Sequence, residues 1–330
     1  MLEELINNEK EAAKINNTPL IGIGLDSSVI PIKGTNYSLL QTCDYFYPLV
    51  DDPVEMGRIT CANVVSDLYA MGVMQIDSLQ LILKVSNQMT EEENKVIMPL
   101  IIKGFKQAAA EARCKVTQAT ILENPYCTIG GVATALCTPD EFIIPENAQS
   151  GDVLVLTKAL GTQIACNAHH WIDVPEKWEK IKNIVKKEDL DSVLAQATKS
   201  MARLNRVAAI LMHKYNAHCS TDVTGFGILG HANNLTKFQK NDLKFVIHAL
   251  PVFHNVDKIA KALNMGKLIK GISPETSGGL LISFAKDDAL AFCKDIQEVE
   301  NCKAWIIGHA EAGNRIAEIV NEPEIIQAEP

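Results

Sequence analysis

The run QTCDYFYPLVDDPVEMGRITCANVVSDLYAMGV, residues 41–73, carries the reading of the fold. Its first part completes a stretch from Tyr37 to Tyr47 that reads as a β-strand, so Thr42 and Asp44 face one side and Cys43 the other. From Glu55 to Met71, small and apolar residues recur at helical spacing, and Gly72 stops the pattern. Asn63 and Asp67 stand four apart on that helix and share a face, with Thr60 close by. Burying an unpaired carboxylate in such apolar surroundings costs on the order of several kcal/mol, so Asp44 and Asp67 call for a cation. Asp51-Asp52-Pro53 reads instead as a helix N-terminal turn and is left out of the metal set.

Upstream, residues 1–19 form a polar lead-in, and Leu20 to Leu25 is a strand-like run that ends at Asp26. Gly34-Thr35-Asn36 then makes a hairpin-type connection into the strand at Tyr37. Downstream come a strand at Ser78 to Val85 and a long helix capped by Thr90 with Glu93, running to about Arg113. Pro99 is expected to kink or split that helix. A strand through Cys127 to Cys137 carries Gly130-Gly131.

Pro139 to Asp152 is a proline-rich, polar boundary, followed by a fresh strand, Val153 to Thr157. Beyond it the pattern predicts helices near 161–171, 176–185, 188–215 and 252–263, and strands at 244–248, 279–284 and 304–308. Alternating elements in both halves predict an α/β (α+β) protein of two domains, 20–145 and 146–330.

Of the 330 residues, 47% are hydrophobic and 22% charged, ample for a large core. No apolar run has the length of a membrane span, and no signal-peptide pattern opens the chain, which reads as cytoplasmic with no membrane partner. A net charge of −9 with no basic block argues against nucleic acid as a partner. Nine cysteines without a C-x-x-C pair read as reduced, mostly buried thiols, and the eight histidines show no zinc spacing. His169-His170 reads as structural or surface.

Asp222 opens a further motif, DVTGFGILG, with glycines at 225, 227 and 230 before an apolar helix. It is a weak dinucleotide fingerprint, since no βαβ unit or ribose-binding acid accompanies it. Two readings stay open: glycines presenting N–H groups to phosphate, or a tight turn and close packing. Pro274-Glu275-Thr276-Ser277-Gly278-Gly279 is likewise an anion-binding loop or a plain turn. Arg58, Lys158 and Lys270 are candidate phosphate neutralisers, although solvated charges are the commoner case. Taken together, Asp26, Asp44, Asp67 and Asp222 with glycine turns nearby point to Mg²⁺ holding a polyphosphate.

Residues 41–73, together with GDVLVLTKALGTQIA (151–165), STDVTGFGILGHANNL (220–235) and PETSGGLLI (274–282), resemble the selenophosphate synthetases (selenide, water dikinases), and most closely the animal-type members. The resemblance runs from about Leu20 to the C-terminus. It implies an aminoimidazole ribonucleotide synthetase-like fold in two domains, with the strands of the N-terminal ATP- and Mg²⁺-binding domain pairing across a homodimer. The implied reaction converts ATP, selenide and water into selenophosphate, AMP and phosphate, with Mg²⁺ and usually K⁺. Asp26, Asp44, Asp67 and Asp222 match the family's metal-holding aspartates and Asn63 a nucleotide-site asparagine. Thr42, Gly130, Gly131, Thr224 and Gly225 complete the expected nucleotide site.

Two departures stand out. Active family members carry a glycine-rich segment with a Cys or selenocysteine and a catalytic Lys, whereas residues 1–20 here hold no Gly and no Cys, leaving the catalytic group unassigned. Strand alternation turns Cys43 away from the Thr42/Asp44 face, so it is not expected to substitute. The family's Gly-Gly turn near the phosphates is expected at Gln118-Ala119, where two Cβ atoms replace bare backbone. The rival expectation is therefore a catalytically impaired paralogue or truncated isoform, a nucleotide-binding regulatory subunit that could pair with a full-length paralogue.

Overall fold

The computed structural model describes residues 26–263 and 265–328, so the lead-in 1–19 and the expected strand Leu20–Leu25 lie outside the described residues. Strands β1 (Ser28–Pro31) and β2 (Ser38–Phe46) form an antiparallel hairpin, and Gly34 takes a φ of +81° at its turn. β1 was not among the expected elements.

Helix α1 (Pro53–Ala70) starts where the sequence predicts. Asp52 caps it, its Oδ1 accepting from the N–H groups of Val54 and Glu55 at 2.7 and 3.0 Å, and Pro53 fills the first turn. α1 is buried on nearly every side because it lies between the first sheet, helix α2 (Glu91–Glu111) and elements of the second half, which accounts for its apolar character all round. Gly57 and Gly104 allow that contact: a Cβ on Gly57 would lie 2.1 Å from the Ile101 carbonyl, and one on Gly104 1.9 Å from that of Val54.

α2 has the expected capping box of Thr90 and Glu93, but Pro99 does not split it. Met98, Ile101 and Phe105 are buried around the proline, so packing holds the helix through the missing hydrogen bond. Strands β3 (Ser78–Ser86), β4 (Val116–Asn124) and β5 (Thr128–Cys137) complete a sheet of order β1-β2-β5-β3-β4. β3 and β4 run parallel through the α2 crossover, and the other neighbours are antiparallel. Gln118-Ala119 corrects an expectation: the pair lies within edge strand β4, beside Gln80 and Leu81, and not in a turn. Most of β4 is exposed on both faces, so it lacks the one-sided alternation that announces a strand.

The second half builds a six-stranded sheet of order β11-β8-β10-β6-β9-β7 from β6 (Val153–Leu156), β7 (Cys219–Asp222), β8 (Leu243–Phe253), β9 (Leu280–Phe284), β10 (Trp305–Ala312) and β11 (Ala317–Ala328). β11 and β8 are parallel, and the remaining neighbours antiparallel. One face, with Leu154, Leu156 and Leu281, packs on α3 (Thr162–His170), α5 (Lys187–Ala202), α7 (Gly227–Lys237) and α8 (Val256–Ala262). The other face, with Val155, Leu280, Ile282 and Phe284, packs on α6 (Arg206–Lys214) and α9 (Lys286–Glu300). A short helix, α4 (Pro175–Ile181), follows α3.

The expected helix 188–215 is two helices. Asn205 breaks it, its Nδ2 turned to Ser66 Oγ at 3.0 Å and the Gly278 carbonyl at 2.9 Å. The helix expected at 252–263 begins only at Val256, since β8 continues to Phe253 and Asn255 takes a left-handed φ of 64°. Among the described residues no helix is long and apolar enough to cross a membrane.

Candidate functional site

Three aspartates from three separate elements converge. Asp26 precedes β1, Asp67 lies on α1 and Asp222 ends β7, and one carboxylate oxygen of each lies within 4.8 Å of the others. Thr221 Oγ1 donates to Asp26 Oδ1 at 2.8 Å, and Thr42 Oγ1 donates to Asp67 Oδ2. Thr42 thus holds Asp67, while β2 alternation places it and Asp44 on the inner face and leaves Cys43 exposed.

Asp44 stands beside this trio. Its Oδ1 accepts from the Tyr45 N–H at 2.9 Å and its Oδ2 from Asn63 Nδ2. Asn63 in turn accepts at Oδ1 from the N–H of Ser277, 2.9 Å away in the 274–279 loop. Gly130 and Gly131 lie on β5 opposite Tyr45 and Asp44; a Cβ on Gly131 would meet the Gln80 carbonyl at 2.3 Å, so glycine lets β5 sit against its neighbours.

The carboxylates repel one another in a dry setting. Burial, then the neighbouring Asp222 charge, pushes Asp26 well above the ordinary carboxylate range. Burial, then Asp222 and Asp26, does the same to Asp67. Burial also raises Asp44, and it lifts Asp222 to about 6. Asp222 Oδ2 is buried and has no hydrogen-bond partner among the described residues. Hard oxygen donors with an orphaned carboxylate oxygen among them suit Mg²⁺, which would supply the missing positive charge.

The DVTGFGILG segment is a tight turn into α7. The N–H groups of Thr224 and Phe226 point inward to His231 Nε2 at 3.0 and 3.4 Å, so those two donors are already engaged. Burial lowers His231 to about 4, which keeps it a neutral acceptor. Gly225 is exposed with open space around its α-carbon, and Gly227 has a φ of +69° against the Gly271 carbonyl.

Of the candidate phosphate neutralisers, Arg58 forks onto Glu111 at 2.9 and 3.1 Å, and Lys270 is exposed. Lys158 is buried, its Nζ donating to the carbonyls of Arg203 and Ser277 at 2.7 and 2.8 Å. His169 Nε2 lies 3.1 Å from Asp191 Oδ1. Sequence reasoning missed Thr221, Ser66, Asn205 and His231. Thr221 beside Asp222 and His231 within the same run were both in local reach, whereas Ser66 and Asn205 meet through a tertiary contact that no local pattern announces.

The chain matches the AIR synthase related protein N-terminal domain over residues 24–137 and the AIR synthase related protein C-terminal domain over 149–321. It is 51% identical to the human "Selenide, water dikinase 2" over 94% of this chain and 70% of that protein. It is 50% identical to the zebrafish (Danio rerio) "Selenide, water dikinase 3", over 94% of this chain and 72% of that one. Among solved structures, AaThiL complexed with AMPPCP and TMP superposes with a TM-score of 0.68 at 18% identity, covering 100% of this chain and 97% of its own.

Proposed function

The chain belongs to the selenide, water dikinases within the AIR synthase related proteins, and on that premise we propose that it converts ATP, selenide and water into selenophosphate, AMP and phosphate for selenoprotein synthesis. The observation within the site that supports this reading is the convergence of Asp26, Asp67 and Asp222, with one buried Asp222 oxygen left unpartnered. These three, with Asp44 beside them, would hold Mg²⁺, which supplies charge neutralisation for a triphosphate.

The chain's own groups do the positioning. Thr42 and Thr221 fix the Asp67 and Asp26 carboxylates, and Asn63 fixes Asp44. The nucleotide would lie where β2, β5 and α1 bring Thr42, Asn63, Gly130 and Gly131 together, with Thr224 and Gly225 at its rim. On the same reading the domains are 20–145 and 146–330, a division supported by one sheet within 28–137 and another within 153–328, and K⁺ would serve the reaction as a second cation.

We further place the protein in the cytoplasm as a homodimer. Its nine cysteines are all free, as a reducing compartment requires. The face of the first sheet away from α1 and α2 exposes Ile30, Tyr45, Leu122 and Leu136, an apolar surface suited to a second copy. A regulatory subunit without dikinase activity is the less favoured reading, since the human and zebrafish relatives both carry the dikinase name.

³¹P NMR of the purified protein with ATP, Mg²⁺ and K⁺ under anaerobic conditions tests the proposal. AMP and a selenophosphate signal that both require selenide are expected. ATP left intact, or ADP formed regardless of selenide, would overturn it.

A further inference from the structure

Lys158 is the one lysine or arginine that is fully buried among the described residues, at 2% exposure. Its ammonium donates to two backbone carbonyls, those of Ser277 and Arg203, at 2.8 and 2.7 Å. Burying this amino group is expensive, since desolvation first and the Arg203 charge second hold Lys158 well below the ordinary lysine range, and an apolar side chain of the same length would fill the space without that cost. The ammonium is therefore to be understood through what those carbonyls do.

Ser277 is the informative one. It is not glycine yet holds a φ of +47°, in the left-handed region that side chains avoid. Its neighbours allow no slack: a Cβ on Gly278 would lie 2.0 Å from the Val223 carbonyl, and one on Gly279 2.4 Å from the backbone nitrogen of Lys158. On the far side of the loop, buried Glu275 accepts from the N–H groups of Gly161 and Thr162, both at 2.8 Å. The loop is thus fastened by a carboxylate at one end and an ammonium at the other.

The fastening reaches the aspartates through one amide. Asn63 can sit either way round, but the Ser277 N–H requires its oxygen at that end, so its NH₂ faces Asp44. Reversed, the Asn63 oxygen would confront the Asp44 carboxylate. We infer that Lys158 is a positioning residue of the metal site: by holding the Ser277 carbonyl it fixes the Ser277 N–H, and through it the Asn63 amide and the Asp44 carboxylate. The inference rests on the proposed role of the aspartates as Mg²⁺ ligands.

A double-mutant cycle separates this role from simple support of the fold. Mn²⁺ binding to the full chain is followed by EPR in wild type, Lys158→Met, Asn63→Ala and the double variant. Lys158→Met is expected to weaken Mn²⁺ binding by roughly tenfold, the usual scale for a group that orients a ligand. In the Asn63→Ala background the same change should alter binding less than about twofold, because the connection is already cut. Lys158→Arg, which keeps charge and donors, should recover most of the affinity.

Phe292→Leu is the stability control: it loosens the packing of α9 against Phe284 of β9 and should leave Mn²⁺ binding unchanged. Should Lys158→Met not fold, Lys158→Gln is read in the same cycle. Wild-type affinity in the Lys158 variant, or effects that add fully with those of Asn63→Ala, would overturn the inference. If wild type and Asp67→Asn bind Mn²⁺ equally, the metal reading itself fails, a separate outcome.

Discussion

Thr221 Oγ1 donates to Asp26 Oδ1 at 2.8 Å across 195 residues of chain, joining the start of the first sheet's domain to a strand of the second. Asp67, carried on α1 between the two halves, completes the same group. A cation held there contacts both halves, so binding and interdomain stability are linked.

Removing one carboxylate should therefore have opposite effects with and without metal. In EDTA, Asp222→Asn relieves repulsion with Asp26 and Asp67 and should stabilise the fold by about 1 kcal/mol. In excess Mg²⁺ the wild type gains roughly 2.7 kcal/mol at a hundred times its Kd, whereas the variant gains little. Calorimetry in the two buffers should reverse the order of the midpoints. The same order in both would count against a shared cation.

The pH dependence has a definite sign. Asp222 rises from an ordinary 3.8 to about 6, and burial raises Glu275 from 4.5 to about 7. At these two carboxyls the folded protein binds more protons than the unfolded chain, which outweighs the opposite effect of the single lowered His231, so metal-free stability falls as pH rises. This contribution is fully present below about pH 4 and lost by about pH 7, and is worth on the order of a few kcal/mol. Urea midpoints in EDTA should drop across that window, and Mg²⁺ should flatten the trend because the metal replaces the protons. A metal-free midpoint that climbs from pH 5 to 7 would contradict the electrostatics.

Much of this site was legible in the sequence because its groups sit on elements with strong periodicity. Alternation in β2 put Thr42 with Asp44 and Cys43 opposite, and helical spacing put Asn63 with Asp67, as the structure has them. What escaped depends on contacts between distant segments. The break before Asn205 follows from its bonds to Ser66 and Gly278, and the left-handed Ser277 from the loop around it. β4 escaped because its two faces are alike in exposure, which erases the period of two. Lys158 read as a solvated charge or a candidate phosphate neutraliser because composition shows a charge and not its burial.

The α1–α2 contact gives a prediction about stability alone. A methyl at Gly57 or Gly104 meets a backbone carbonyl of the partner helix at 2.1 or 1.9 Å, and neither backbone can give way without moving its helix. Gly57→Ala and Gly104→Ala should each destabilise by roughly 3 kcal/mol, outweighing alanine's better helix propensity of about 1 kcal/mol. Chemical denaturation checks this; a variant at or above wild-type stability would show that the helices are not so closely packed.

Asp52 offers a contrast, since its carboxylate is occupied by the α1 N-terminus and stands outside the metal group. Asp52→Ala should cost about 1 kcal/mol of stability, the usual scale for a lost cap. Mn²⁺ affinity should stay within about twofold of wild type, the opposite of what Asp67→Asn does. A large loss of metal binding at Asp52→Ala would bring Asp52 into the site.

The outer face of the first sheet can be tested without touching the aspartates. Leu39 pairs with Leu136 and Cys43 with Val132 across β2 and β5, and Tyr45 lies farther along the same row of side chains. Leu136 and Tyr45 are 45% and 59% exposed, so a charge at Leu136 costs the isolated chain little. Against a second copy the same charge is desolvated twice, once in each subunit. Leu136→Glu should therefore shift sedimentation from dimer to monomer while the unfolding free energy of the monomeric fold in urea changes by less than about 0.5 kcal/mol. Cys43→Ser, a small polar change on the same face, should leave both association and ATP turnover intact. Dimers that persist in Leu136→Glu would mean that the chains associate through another surface, and loss of turnover in Cys43→Ser would restore that thiol as a candidate for the chemistry.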